Sequence, residues 1–152
     1  MKKNVVPVVG GIFHRGRKEP SSGEIVPEVL LFERQKNDIG GGLFEFPGGK
    51  VEKGESDKQA LIREIEEELG IKVLIQDRLG SAEFQGVSGR EFMLTAYFMT
   101  GPLNEIQLKE HDSKLWVSRQ TVVEEKLALG DRPLIRLCFD YLEKHYLSLD
   151  KV

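Results

Sequence analysis

The stretch from Ser56 to Gly70 carries both ends of one helix and, along it, more negative charge than a helix tolerates unaided. Ser56 followed three residues later by Gln59 is a capping box, which satisfies amides that a first helical turn leaves without partners. Gly70 stands where a left-handed C-terminal cap belongs. At ~100° per residue, Leu61, Ile62, Ile65 and Leu69 fall in one apolar sector that should face a sheet. Glu64, Glu67 and Glu68 share the neighbouring sector, because residues three and four apart lie one above another. Ala60 precedes them on that face, where a small side chain leaves room, and Glu66 points away to solvent.

This crowding is locally unfavourable. Carboxylates in the last turns of a helix meet a macrodipole that disfavours each by ~0.3–1 kcal/mol. Arg63 can pair with Glu67 at i,i+4, but one guanidinium cannot neutralise three converging anions. Hard divalent cations can, since Mg²⁺ takes carboxylate oxygens at ~2.1 Å and keeps positions open for substrate phosphates. A solvated acidic face would explain the helix alone. The Pro47-Gly48-Gly49 turn ahead of it goes further, because glycine lets bare backbone approach a ligand closely. From Glu52 to Glu68 seven acids face three bases, a local excess larger than the net charge of −3 of the whole chain.

That near-neutral balance gives no general attraction for nucleic acid, so a phosphate-rich ligand must be held by local donors or metal ions. A chain of 152 residues is expected to form one domain, residues 1–152, with one core. No apolar run approaches the ~20 residues of a membrane span, and Met1-Lys2-Lys3 leads into no signal-peptide core. The single cysteine, Cys138, excludes an internal disulfide and a multi-cysteine zinc site. A reducing, cytoplasmic setting is the expectation.

Strands are expected at residues 5–13, 29–32, 44–46, 73–84, 91–99 and 115–117, and a loop at 15–27, where prolines, glycines and serines gather. A helix near 122–129 follows Ser118, and a C-terminal helix follows Asp131, with Pro133 in its first turn. There Leu134, Leu137, Cys138, Tyr141 and Leu142 recur at helical spacing, which places Cys138 in the core. The order of strands, helix, strands, helix points to an α/β or α+β sandwich with mixed sheet between helices.

Gly49, five residues, Glu55, seven residues, Arg63-Glu64-Ile65, one residue, Glu67-Glu68, one residue, Gly70-Ile71 resembles the signature of the Nudix hydrolases at all nine specified positions. The likeness extends to Glu45-Phe46-Pro47-Gly48 and to the segment from Glu110-His111 to Trp116-Val117. It implies a Nudix-type α/β/α sandwich and Mg²⁺- or Mn²⁺-dependent hydrolysis of a nucleoside diphosphate linked to another moiety. By position it implies Glu64, Glu67 and Glu68 as metal ligands, the Gly48 carbonyl as a further one, and Arg63 orienting the glutamates. Glu55 would support the loop or its water network. Glu110 resembles a distant glutamate that serves some members as ligand or general base, and is otherwise a loop carboxylate. Glu64, Glu67 and Glu110 stand as alternatives for the base.

Val87 stands where a proline suggests ADP-ribose hydrolases, and no tyrosine near it suggests dinucleoside polyphosphates. What remains resembles the MutT-type nucleoside triphosphate pyrophosphohydrolases, with oxidised purine deoxynucleotides as favoured substrates. In that group an asparagine before the last helix reads the base, and Asp131 stands there here, equally readable as an N-cap. Arg34 is a candidate phosphate contact or a surface arginine, and Phe46 a candidate base-stacking residue or core. Arg15, Arg17 and Lys18 are placed to touch a larger substrate. Pyrophosphate removal from an RNA 5′ end and a non-catalytic nucleotide-binding regulator are the other two expectations, with no membrane partner. Monomer and homodimer both fit.

Overall fold

The computed structural model describes residues 4–150, so the Met1-Lys2-Lys3 start lies outside the described residues. Ten regular elements follow: β1 (Val6–Ile12), β2 (His14–Lys18), β3 (Ile25–Arg34), β4 (Phe44–Glu45), β5 (Gly48–Lys50), α1 (Asp57–Leu69), β6 (Leu74–Gln85), β7 (Glu91–Thr100), β8 (His111–Val117) and α2 (Arg132–Asp150). One sheet has the order β5-β1-β7-β6; its β1 and β7 run parallel, while β5 and β6 pair antiparallel. In the second sheet β3 pairs antiparallel with β2, β4 and β8. None of the described helices is long and apolar enough to cross a membrane.

Strands buried on both faces explain the apolar runs. Along β3, Leu30 and Phe32 pack with Ala60, Leu61, Ile65 and Leu69 of α1, while Val29 and Leu31 pack with Leu134, Ile135, Cys138 and Phe139 of α2. Tyr97 and Met99 of β7 join the α1 side, and Leu94, Ala96 and Phe98 join the α2 side. The period of two thus builds two cores back to back, giving the α/β/α sandwich with a mixed sheet that the sequence implies. Gly11 permits it, since a Cβ there would collide with Met99 on the α1 face.

The capping box of α1 is present as expected: the Ser56 hydroxyl accepts from the Gln59 amide at 3.1 Å, and Gln59 accepts from the Ser56 amide at 2.9 Å. Gly70 caps the other end with φ 70°. Ile62 departs from its expected sector and is exposed, whereas Ala60 is wholly buried under the sheet. The 15–27 segment is a connecting turn only over 19–24 and strand on either side. Its first residues form β2, which pairs back on β3 from His14↔Val29 to Lys18↔Ile25. Arg15 and Arg17 both bind Glu28 across this ladder, so their alternation with Gly16 is strand chemistry that the prolines mask.

A helix over 122–129 is also absent. Only the 3-10 turn Glu124–Lys126 forms, because the Ala128 amide donates to the Phe44 carbonyl at 2.8 Å and Leu127 is drawn into the core. Leu137 and Tyr141 are more exposed than their spacing suggests, while Cys138 is buried, which pushes its thiol pKa up. Leu61→Ala should cost about 3 kcal/mol by leaving a cavity between α1 and the sheet. Ser56→Ala should cost only about 1 kcal/mol, through the lost cap. Urea unfolding of the two variants checks that order.

Candidate active site

The second half of α1 delivers its carboxylates in two directions. Glu68 lies between Ala60 and Leu61 around the helix, inside the buried arc, and is 5% exposed. It accepts from the Gly48 amide, while its Oε2 is buried with no partner. Burial, then the charges of Glu45, Glu64 and Glu110, raises its pKa to about 9. Glu64 is half-buried, and desolvation likewise raises its pKa, against the pull of Arg63. A Cβ at Gly49 would occupy the space of the Glu64 carboxylate, and one at Gly48 would strike the Val9 carbonyl. Gly49 therefore makes room for the Glu64 carboxylate, and Gly48 for the close approach of the β1 backbone.

Arg63 organises the outer side. Its Nε and one Nη hold both oxygens of Glu55, at 2.8 and 2.9 Å, and that Nη also reaches the Lys50 carbonyl at 3.0 Å. The other Nη donates to Glu64 at 2.9 Å and to Glu67 at 3.4 Å. Glu55 further accepts from the Glu52 amide, and these bonds, Arg63 first, hold its pKa down to about 2. One guanidinium thus ties the loop before α1 to the acids on it.

A cleft of about 820 Å³ opens beside Glu64 and Glu68. Its polar lining comes from Gly48, Gly49, Glu64, Glu68, Glu110, Arg34, Glu45 and His111, and its apolar lining from Phe46, Phe84, Phe92, Leu94, Val87 and Leu129. Asp131 also lines it, 4% exposed. The Asp131 main-chain carbonyl accepts from Leu134 and Ile135, so the residue does stand at the start of α2. Its side chain turns instead to the Phe46 amide, leaving Oδ1 buried without a partner. Burial, then the charge of Glu45, raises its pKa well above the usual aspartate value, against the pull of the Phe46 amide and Arg34.

Seven of the sequence-read site residues therefore meet at this cleft: Arg34, Phe46, Gly48, Glu64, Glu68, Glu110 and Asp131. Phe46 is core, as one of its two readings has it, and it also lines the cleft wall. Glu55, Arg63 and Glu67 are not among the cleft's wall residues, and Arg63 joins the other two to Glu64. Arg15, Arg17 and Lys18 are not among its wall residues. Sequence reasoning missed Glu45 and His111, whose side chains meet at 3.0 Å. The signal was available: Glu45 is a lone acid between Phe44 and Phe46, and such a residue in a buried strand needs partners.

The donor set suits a hard divalent cation. Glu68 offers a desolvated oxygen with no hydrogen bond and Glu64 a second carboxylate, and burial first, neighbouring acids after it, raises the pKa of both.

A NUDIX domain matches residues 6–138. A CTP pyrophosphohydrolase of Escherichia coli (strain K12) is 35% identical over 131 residues, covering 86% of this chain and 89% of that protein. An 8-oxo-dGTP diphosphatase of Proteus vulgaris is 37% identical over 82 residues, 54% of this chain and 72% of that protein. Among solved structures, the MutT protein from Methanosarcina mazei Go1 gives a TM-score of 0.74 at 26% identity, over 95% of this chain and 99% of that one. The chain belongs to the Nudix family. It is a MutT-like pyrophosphohydrolase of that family, as the signature implied.

Because the folded Glu68 keeps its proton up to about pH 9 and an unfolded glutamate loses it near 4.5, the metal-free protein should lose stability as pH rises across that window. In EDTA, the wild-type unfolding midpoint should fall more steeply between those pH values than that of Glu68→Gln. Equal slopes would contradict the burial assigned to this carboxyl.

Proposed function

We propose that the protein hydrolyses a nucleoside triphosphate to the monophosphate and pyrophosphate, using Mg²⁺ or Mn²⁺ at the acidic residues of the cleft. The observation that carries this is the polarity of that one cleft. Its lining combines unpaired carboxylate oxygen with an apolar wall that carries Asp131 beside Phe46. A nucleotide has the same division, with an anionic chain and a flat base.

Glu64, Glu67 and Glu68 would hold the cation, with the Gly48 carbonyl and Glu110 completing its oxygen set. When bound, the ion supplies the positive charge that offsets repulsion between water and polyphosphate and stabilises the transition-state charge. Arg63 keeps Glu64 and Glu67 oriented, and Glu55 keeps Arg63 in place. Arg34 contacts the phosphate chain. A carboxylate not saturated by the cation deprotonates or orients the water, and Glu64, Glu67 and Glu110 are the candidates. Phe46 packs against the base.

Asp131 reads the base. Its buried Oδ1 has no partner, and in its protonated form the carboxyl places one O–H donor beside one acceptor, the complement of an edge with an acceptor next to a donor. Cytosine offers that edge at N3 and its 4-amino group, and oxidised guanine offers it at O6 and N1–H. The two relatives above carry the names of enzymes acting on CTP and on 8-oxo-dGTP, which supports both candidates.

With Mg²⁺, phosphorus NMR should show monophosphate and pyrophosphate as the products from CTP and 8-oxo-dGTP. Release of single phosphates, or no turnover across canonical and oxidised triphosphates, would contradict the proposal. Glu67→Gln should lower kcat at least ~10²-fold, as expected for loss of a group engaged with cation or water. Its unfolding midpoint should hold or rise, because an exposed anion leaves an acidic cluster.

A further inference from the structure

Beside the acidic cluster lies a pair that none of these roles uses. Glu45, on the two-residue strand β4, has one oxygen bonded to Arg34 Nη1 at 2.8 Å and the other to His111 Nε2 at 3.0 Å. His111 opens β8 directly across from Arg34 in the ladder, and is 5% exposed with its ring 5.4 Å from that of Phe32. One ligand atom each from Glu45, Glu68 and His111 lies within 4.8 Å of the others, the spacing of a cation site.

The imidazole argues for another role. Its Nδ1 is buried and has no partner. A metal on Nε2 would drive the ring proton to Nδ1, where no acceptor waits, and a buried N–H would go unsatisfied. With the proton on Nε2, the ring donates to Glu45 and leaves only a lone pair at Nδ1, beside Phe32. The hydrogen bonds thus assign His111 as a donor to Glu45 through Nε2.

Arg34 is the third member. Its Nε donates to the Ile39 carbonyl at 2.8 Å and its Nη1 to Glu45, which fixes the plane of the guanidinium. Its Nη2 meets only Asp38, at 3.3 Å, and the Asp38 side chain is 54% exposed. That is the arm a phosphate can take over by displacing a weak, solvated partner. We propose that His111 and Glu45 are a positioning pair that aims Arg34 at the phosphate chain, rather than ligands of the cation. The proposal rests on the reading of Arg34 as a phosphate contact. Two donors on Glu45 also keep that carboxylate from swinging toward Glu68 and the ion.

The test uses the full chain, with Mn²⁺ alone as the binding probe and CTP with Mg²⁺ for kinetics. His111→Leu should raise KM about tenfold with kcat within about twofold, as loss of phosphate binding without loss of chemistry requires. Mn²⁺ affinity, followed by electron paramagnetic resonance, should stay at the wild-type value. His111→Gln, whose amide can donate to Glu45, should recover most of the KM, and it keeps the test open if the leucine variant folds poorly. In an Arg34→Ala background, His111→Leu should change KM little, since the arm it serves is gone. Loss of Mn²⁺ affinity in His111→Leu, or additive effects of the two substitutions, would overturn the pair's role while leaving Arg34 as a phosphate contact. A wild-type KM in Arg34→Ala alone would remove the phosphate contact itself, and the proposal with it.

Discussion

One buried, half-satisfied carboxylate sets the terms for the rest of the molecule. Glu68 is carried by α1 into an arc otherwise filled by Ala60, Leu61, Ile65 and Leu69, and only the Gly48 amide answers it. An acid so placed must stay protonated or share a positive charge, because desolvating an unpaired carboxylate costs far more than one helix gains from its packing. Folding therefore assembles an electrostatic demand that the protein alone does not meet. That demand is the physical content of the site.

The surroundings restrict how the demand can be met. Arg63 is within reach of Glu64 and Glu67 but is already engaged by both oxygens of Glu55 and by the Lys50 carbonyl. It steadies two of the acids without entering the cleft. Arg34 is likewise engaged, by Ile39 and Glu45. With both nearby guanidiniums occupied, what Glu68 lacks has to come from outside the chain. A divalent ion arriving with a polyphosphate brings charge of both signs in one binding event.

Much of this was legible in the chain itself. The capping box, Gly70 and the spacing of Glu64, Glu67 and Glu68 are local properties, and each appears in the folded helix where periodicity places it. The errors share one cause. Arg15 and Arg17 looked like loop cations because their partner, Glu28, sits on the neighbouring strand. The 122–129 segment looked helical because the Phe44 carbonyl that captures Ala128 is far away in the chain. Ile62 and Ala60 exchanged their expected environments because the direction of burial is set by where the sheet lies, which helical spacing leaves free by a fraction of a turn.

The sequence by itself determined the helix, its caps, its converging acids and the family they mark, since all of these depend on residues within a few turns of one another. Tertiary structure decided the polarity of the site. It drew Asp131 and Phe46 together, brought Glu45 and His111 beside Glu68, and buried Glu68, His111 and Asp131 in the wall of one cleft. The acids acquire their raised pKa values chiefly through that burial, because desolvation belongs to the packed interior and to no single stretch of chain.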